Sequence, residues 1–138
     1  MTTQTATDTP AAPEAAGSPV GWFEIGTPDA AAARTFYGAV FGWSFAQDGP
    51  YSVVTTGPGQ PLQGGIQDTT ADLPPGQPSA YATPCVQVAD VTATCETVAA
   101  EGGTVLVPAT TIPTGLVYAF VTDPAGNRIG IFTAPPLG

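Results

Sequence analysis

The sequence predicts an α+β fold in which a strand, a helix and three further strands occur twice. The same order of elements is seen on both sides of a proline-rich segment at residues 68–79. The two halves also resemble each other locally, because Tyr51-Ser-Val-Val-Thr and Tyr118-Ala-Phe-Val-Thr are each followed by a turn and a Gly-Ile pair, at Gly65 and Gly130. A βαβββ unit alone leaves one sheet face uncovered, so we expect the two units to form one domain over residues 18–135.

The first unit is predicted at residues 18–67, after a Thr-, Ala- and Pro-rich segment, 1–17, that we expect to be a disordered tail. Its first strand, 20–25, alternates Phe23 and Ile25 on one face with Trp22 and Glu24 on the other. The residues Thr27-Pro28-Asp29 then favour a helix start, with Thr27 as the cap. The helix has an apolar stripe and ends at Gly42, and three strands follow near 43–47, 51–55 and 62–67.

The second unit is predicted at residues 80–133, after the linker 68–79. Its first strand, 81–88, places Thr83, Cys85 and Gln87 on one face. Asp90 caps a second helix, which Gly102-Gly103 ends. Strands near 104–108, 116–122 and 128–133 follow, and the last two are joined by a tight turn in which Asp123 and Asn127 can bond the turn backbone.

Charge and composition exclude several classes of function. The 138 residues include eleven acidic and two basic ones, Arg34 and Arg128, and no histidine. Such a surface repels nucleic acid and anionic lipid, so we expect no nucleic-acid and no membrane partner. Without histidine, serine–histidine and cysteine–histidine catalytic pairs are impossible. Two cysteines are too few for a disulfide scaffold, and no signal peptide or membrane span is recognisable, which favours a cytoplasmic protein with free thiols.

Several motifs in this order resemble the vicinal oxygen chelate superfamily, which includes glyoxalase, bleomycin-resistance and extradiol-dioxygenase relatives. The resemblance covers roughly residues 19–133 and is closest to the small bacterial single-module type. The motifs that carry it are Trp22-Phe-Glu-Ile, Asp29, Phe36-Tyr37, Val40-Phe41-Gly42-Trp43, Asp90, Gly102-Gly103 and Asp123-Pro-Ala-Gly-Asn-Arg-Ile.

The resemblance implies a glyoxalase-like arrangement, in which curved mixed sheets surround a cavity and the helices cover the convex side. The apolar residues Phe23, Ile25, Val86, Val88, Ile129 and Ile131 would then face the helices. The cavity would be lined by Trp22, Glu24, Gly65, Gln67, Thr83, Cys85, Gln87, Gly130 and Phe132. The family also implies a homodimer, which we expect here.

Metal-using relatives place His, Gln or Glu at four cavity positions, and this sequence has none of them there. By spacing, the positions fall on Trp22, on Gly65 or Gly64, on Gly130, and on Thr83 or Cys85. A lone thiolate does not hold a divalent ion. We therefore predict a protein with no metal and no other cofactor.

Glu24, Gln67 and Gln87 could form a polar ring instead. Each lies on the same strand face as one of the metal-ligand positions but two residues further along, which is about 6 to 7 Å. Glu24 is its one acid, and an apolar environment would raise its pKa toward a range useful for proton transfer. The competing interpretation is a structural carboxylate bonded to Arg128 or to a backbone amide. Trp22 and Phe132 either stack a planar ligand or fill space.

The remaining candidates favour structural roles. Cys85 faces the cavity without a nearby cation to lower its pKa, which favours an inert thiol. Cys95 lies on the stripe of the second helix and is expected in the core, and the direction in which it faces disfavours a bond to Cys85. Phe36, Phe41 and Trp43 are expected in the core as well. Arg34 is expected on the outer face of the first helix.

Two functions fit this sequence. The first is a metal-independent binding protein that sequesters an aromatic or cationic metabolite or antibiotic, with ligand contacts from Trp22, Gln67, Thr83, Cys85, Gln87, Gly130 and Phe132. The alternative is a metal-independent isomerase, cyclase or lyase of small-molecule metabolism, with Glu24 as its catalytic acid and base. The sequence favours the binding protein, because one carboxylate is a small catalytic apparatus.

Overall fold

A computed structural model describes residues 17–134 and contains a single open, mixed sheet of eight strands with two helices. The predicted order of elements is confirmed. The strands and helices are β1 (Val20–Thr27), α1 (Ala30–Phe41), β2 (Ser44–Asp48), β3 (Tyr51–Thr55), β4 (Gln63–Asp68), β5 (Tyr81–Gln87), α2 (Val91–Ala100), β6 (Thr104–Thr111), β7 (Val117–Thr122) and β8 (Arg128–Thr133).

The sheet order β2-β3-β4-β1-β5-β8-β7-β6 shows the repeat directly. In each unit the first strand pairs in parallel with the last, β1 with β4 and β5 with β8. The two first strands then pair antiparallel with each other, with Trp22 opposite Cys85 and Glu24 opposite Thr83. This β1–β5 ladder, which we call the seam, joins the units and brings their corresponding faces side by side.

The helices begin and end where local chemistry requires. Asp29, and not Thr27 as predicted, is the N-cap of α1: its carboxylate accepts the Ala32 N–H at 3.0 Å, while the Thr27 hydroxyl accepts the Asp29 N–H. The carboxylate of Asp90 accepts the Ala93 N–H in the same way at 2.9 Å. Gly42 ends α1 with a left-handed φ of 73°, which a glycine adopts without steric cost.

The turn between β7 and β8 is held by one carboxylate, as predicted. Asp123 accepts the N–H groups of Ala125 and Asn127, and the Asn127 side-chain amide donates to it as well. These hydrogen bonds lower the pKa of Asp123. The turn thereby fixes the register of β8, the strand that carries Arg128, Gly130 and Phe132.

The well-packed core lies under α2. Val91 of that helix is 2% exposed and packs with Ala119, Val121 and Ile131 of the sheet. Around this cluster lie the half-buried residues Val86, Val88, Cys95, Val98, Val105, Val117 and Ile129. The predicted helix-facing residues of the second unit are therefore confirmed. Cys95 is half-buried beside this core and not bonded to Cys85.

Helix α1 covers its half of the sheet loosely, and two predictions about it are wrong. None of its residues is buried, and Phe36, Val40 and Phe41 are each more than half exposed, so Phe36 and Phe41 are not in the core. Arg34 does not lie on the outer face: its guanidinium reaches down to donate to the buried hydroxyl of Ser52 at 3.2 Å. The Arg34–Ser52 hydrogen bond thus holds α1 to the sheet, where the packing of an apolar stripe was expected.

The segment between Asp68 and Tyr81 contains no strand or helix and connects the two units, as the prolines predicted. Residues 1–16 of the predicted tail and residue 135 of the predicted domain lie outside the described residues. Neither of the two helices is long and apolar enough to cross a membrane.

Candidate functional site

The face of the sheet opposite the helices carries a connected set of polar and aromatic side chains centred on Glu24. One carboxylate oxygen of Glu24 accepts the hydroxyl of Tyr51 at 3.1 Å, and the other accepts the hydroxyl of Tyr81 at 2.5 Å. The indole N–H of Trp22 donates to the Tyr51 hydroxyl at 3.0 Å. We call Trp22, Tyr51, Glu24 and Tyr81 the Glu24 network. It spans the seam, since Trp22 and Glu24 lie on β1 and Tyr81 on β5.

The register of the strands explains why these side chains meet. Gly26 lies opposite Tyr81, and a Cβ atom there would overlap the Tyr81 ring. Gly65 lies opposite Glu24, and a Cβ atom there would overlap the Tyr51 hydroxyl. Two glycines therefore leave the space in which two tyrosines reach one carboxylate.

Burial dominates the electrostatics of the network. It raises the pKa of Glu24, although the hydrogen bonds from Tyr81 and Tyr51 and the charge of Arg128 partly offset the effect. Burial, with the nearby Glu24 carboxylate, also raises the pKa values of Tyr51 and Tyr81 above their ordinary value. Both hydroxyls therefore keep their protons and act as hydrogen-bond donors.

Arg128 closes the second-unit side of this face. Its Cζ atom lies 4.1 Å from the ring centroid of Tyr81 and 4.0 Å from that of Phe120. One terminal nitrogen, Nη2, donates to the side-chain oxygen of Gln77 at 2.7 Å. The nitrogens Nε and Nη1 are buried and have no hydrogen-bond partner within residues 17–134.

The four positions that hold metal ligands in relatives do not fit a metal here. The side chain of Trp22 is an indole that is already hydrogen-bonded, and the space beside Gly65 is filled by Tyr51. A Cβ atom at Gly130 would lie 2.8 Å from the sulfur of Cys85. Thr83 is 3% exposed, and its hydroxyl donates to the Arg128 carbonyl at 2.8 Å. Across residues 17–134 no three His, Cys, Asp or Glu side chains cluster in a way that could hold a metal ion.

Cys85 is buried between the units, and its thiol is not activated as a nucleophile. Burial, together with the Glu24 charge, raises the pKa of this thiol to about 12, and Arg128 only partly offsets it. A thiol with such a pKa carries almost no thiolate at neutral pH. The geometry supports the interpretation of an inert side chain that fills space beside Gly130.

The predicted polar ring of Glu24, Gln67 and Gln87 does not form. The amide of Gln67 donates to the backbone carbonyls of Asp68 and Pro50 instead. Gln87 is exposed, opposite Phe132 in the register and beside Gly21, three residues from Glu24 along β1. Phe132 is half-buried at the same end of the face. The polar partners of Glu24 are the two tyrosines, and neither Arg128 nor a backbone amide bonds it.

Sequence reasoning missed Tyr51, Tyr81 and Phe120 as members of this site and considered Arg128 only as a partner of Glu24. Strand alternation places Tyr81 on the face of Thr83 and Arg128 on that of Gly130. The pairing of β3 with β4, which brings Tyr51 beside Gly65, depends on a long-range register that one sequence does not reveal.

Two surface cavities of about 240 Å³ each lie away from the Glu24 network. One lies beside the start of α1 and includes Asp29 and Arg34 in its lining. The other lies along the linker between the units and includes Leu73 and Gln77. Neither of these two cavities includes a residue of the Glu24 network in its lining.

Comparison with known proteins identifies the family. The profile of the Glyoxalase/Bleomycin resistance protein/Dioxygenase superfamily matches residues 20–131. The chain is 32% identical over 122 residues to "Putative glyoxylase CFP32" of Mycobacterium tuberculosis, and equally to its counterpart in Mycobacterium bovis. The match covers 82% of this chain but 44% of those relatives, so the chain spans less than half of their length.

Solved structures share the fold at low sequence identity. A methylmalonyl-CoA epimerase from Mycobacterium tuberculosis superposes with a TM-score of 0.59 and 15% identity, over 83% of this chain and 87% of the epimerase. The hypothetical protein BH1468 from Bacillus halodurans superposes with a TM-score of 0.62 and 10% identity, over 88% and 98% of the two chains.

Proposed function

Because the chain belongs to the Glyoxalase/Bleomycin resistance protein/Dioxygenase superfamily, we propose that it is a metal-independent binding protein that sequesters an aromatic or cationic metabolite or antibiotic. One observation carries the proposal. Where relatives hold a metal, this chain has the Glu24 network, whose tyrosines occupy the space beside Gly65 and Gly26. A site built of rings and hydroxyls suits a small organic ligand.

The aromatic content of the concave face supports a planar ligand. Tyr81 and Phe120 lie with their ring centroids 6.1 Å apart, and Tyr118 and Phe120 lie 5.7 Å apart. With Trp22 at the other side of the seam, the face offers rings on both units. The chain's charge of −9 would in addition attract a cationic ligand over distance.

A second candidate is a metal-independent isomerase, cyclase or lyase, and the Glu24–Tyr81 contact supports it. The oxygens of these two groups are 2.5 Å apart, and the pKa of Glu24 is raised above its ordinary value. A raised pKa makes a carboxylate a stronger proton acceptor for a substrate than an ordinary glutamate is. A protein of this fold is a methylmalonyl-CoA epimerase, and an epimerase is an isomerase.

Native mass spectrometry of the purified protein, with elemental analysis, tests the proposal. We expect no stoichiometric metal and a bound small molecule whose mass reveals its class. Glu24→Gln then separates the two candidates, because it should leave sequestration of a neutral ligand within a few-fold and abolish turnover. A stoichiometric metal would contradict the metal-independent site, and turnover that persists in Glu24→Gln would contradict the enzymatic role of Glu24.

We further propose a homodimer and a cytoplasmic location for the chain. The exposed apolar stripe of α1 supports a partner surface, and the curated relatives are long enough to contain a second module in one chain. Light scattering at micromolar concentration should give twice the mass of 13.8 kDa. A mass of one chain would contradict the dimer.

A further inference from the structure

Arg128 is a half-buried cation whose guanidinium is hydrogen-bonded to no carboxylate within residues 17–134. Its one side-chain hydrogen bond goes to Gln77, a neutral amide, and Glu24 is instead bonded to two tyrosines. A buried guanidinium normally pairs with a carboxylate or satisfies its donors with oxygen acceptors. Within residues 17–134 Arg128 has one oxygen acceptor, on Nη2, while the buried nitrogens Nε and Nη1 have no hydrogen-bond partner.

The two rings that hold Arg128 do not satisfy these donors. Tyr81 and Phe120 offer their ring faces to the guanidinium carbon at about the same distance, which stabilises the charge. The Tyr81 hydroxyl donates to Glu24, and it does not satisfy Nε or Nη1. An unsatisfied buried donor costs free energy, and the cost is higher for a charged group. Binding of an additional hydrogen-bond acceptor at Arg128 is therefore favourable, and an acceptor with negative charge is favoured most.

The position of Gln77 shows how a ligand can bring such an acceptor to Arg128. Gln77 belongs to the linker, outside all strands and helices, and it also lines the cavity of about 240 Å³ under that segment. Its amide oxygen can leave Arg128 without breaking any strand pairing. The cavity beside it can receive either the displaced side chain or part of a ligand.

We propose that Arg128 binds the carboxylate of an aromatic ligand, and that the Gln77 amide oxygen occupies the place of this carboxylate until the ligand displaces it. The inference rests on the proposed binding function, keeps its aromatic ligand and drops its cationic one, because the local charge of Arg128 and not the net charge of −9 then selects the ligand. Aromatic character follows from the rings of Tyr81 and Phe120 beside the guanidinium. Because the pKa of Glu24 is raised, repulsion between that group and an incoming carboxylate is reduced.

The test uses the only two arginines of the chain as signal and control. Each arginine gives one Nε–H resonance in a ¹⁵N correlation spectrum, and Arg34→Gln assigns both. We titrate the full chain with benzoate, benzamide and benzylammonium. We expect benzoate to shift the Arg128 resonance, benzamide to bind at least tenfold more weakly, and benzylammonium not to shift it.

Two variants sharpen the result. Gln77→Ala removes the competing amide and should tighten benzoate binding at least threefold. Arg128→Gln should weaken it at least tenfold, while Arg34→Gln, which removes the same charge from α1, should stay within twofold. If Arg128→Gln does not fold, the Gln77→Ala titration and the Arg128 resonance of the unmodified chain still decide the matter.

Three outcomes would overturn the inference. They are an Arg128 resonance that benzoate does not shift, benzoate affinity that is unchanged or reduced in Gln77→Ala, and benzoate affinity retained in a folded Arg128→Gln. Binding of benzylammonium or of a neutral aromatic with no response to benzoate would overturn the acid preference alone and leave the proposed binding function standing. A stoichiometric metal found by elemental analysis would instead contradict the metal-independent function.

Discussion

The two helices cover equivalent halves of one sheet, yet they are held in different ways. Helix α2 buries Val91 against Ala119, Val121 and Ile131. Helix α1 buries no residue and is held by the Arg34–Ser52 hydrogen bond at its start. At its end, Tyr37 and Phe41 lie against Trp43, with ring centroids 5.2 and 5.3 Å apart.

This difference shows that a repeated pattern of elements does not imply repeated packing. Both helices have an N-cap aspartate and an apolar stripe, but the stripe of α1 is built from large aromatic residues that the sheet below does not accommodate. Beneath it lie the buried residues Ser52, Val54 and Ile66. We therefore expect the second unit to carry more of the helix-packing free energy, while α1 keeps apolar area available for a partner.

The largest expected effect compares the equivalent glycines of the two units. Gly65→Ala should destabilise the protein by about 3 kcal/mol, since its new methyl group overlaps the Tyr51 ring and hydroxyl and breaks the Glu24 network. Gly130→Ala should cost about 1 kcal/mol, because the sulfur of Cys85 needs to move only by tenths of an ångström. Urea unfolding measures both, and equal costs would show that Tyr51 moves freely.

The second effect uses the same chemical change on both helices. Val91→Ala should cost about 2 kcal/mol, because it removes two methyl groups from a side chain that is 2% exposed. Val40→Ala, at a position that is 53% exposed, should cost less than about 0.5 kcal/mol. If the two costs agree, the difference in packing between α1 and α2 does not exist in solution.

The third effect is a pH dependence centred on the seam. The ordinary pKa of Glu24 is 4.5 and burial raises it, so the folded state holds this proton more tightly than the unfolded state does. The stabilisation from this proton is complete at pH values below the ordinary pKa, and it is lost as the pH rises through the raised pKa of the folded state. The Tm of the unmodified protein relative to that of Glu24→Gln should therefore fall as the pH increases from 4.

Glu96→Gln is the matched control for this titration, since it removes one carboxylate from an exposed position on α2. Its Tm should follow that of the unmodified protein across the range. A Tm of the unmodified protein that rises with pH relative to Glu24→Gln would mean that the charged carboxylate is favoured, as in an ion pair with Arg128.

The smallest expected effect on stability tests the free face of α1. Val40→Asp should change the free energy of unfolding of a single chain by less than about 0.5 kcal/mol, because the side chain points largely to solvent. It should nevertheless shift the light-scattering mass from two chains to one. Thr97→Asp, an exposed position on α2, should leave the mass unchanged, and loss of the dimer in both variants would move the interface away from α1.

The fold could be predicted almost completely because its signals are local. Strand alternation, the cap residue Asp90 and the turn at Asp123 each depend on contacts within a few residues. The errors on α1 have a tertiary cause. An apolar stripe predicts a buried face only if the sheet below has room for it, and sequence periodicity carries no information on that room.

The site could be predicted only in part because it depends on contacts between distant residues. Glu24 and the missing metal ligands were found by spacing along single strands. The partners of Glu24 lie 27 and 57 residues away. They have room to reach it because Gly26 stands opposite Tyr81 and Gly65 stands opposite Glu24 in the register. A tyrosine hydroxyl leaves no periodic pattern in the sequence, so its role in the site becomes clear only from the pairing of the strands.

The seam has a consequence for how this chain can be assembled. Among the strands of the described residues, the β1–β5 ladder is the only one that joins the two units. The chain segment that connects the units, between Asp68 and Tyr81, contains no strand or helix. A cut in that segment, near Gly76, would leave two fragments, each with a complete βαβββ unit and one open first strand. Mixed together, the fragments should recover the Glu24 network by pairing those strands, so the chain is a candidate for a split reporter whose signal is the return of the Glu24–Tyr81 contact across the seam.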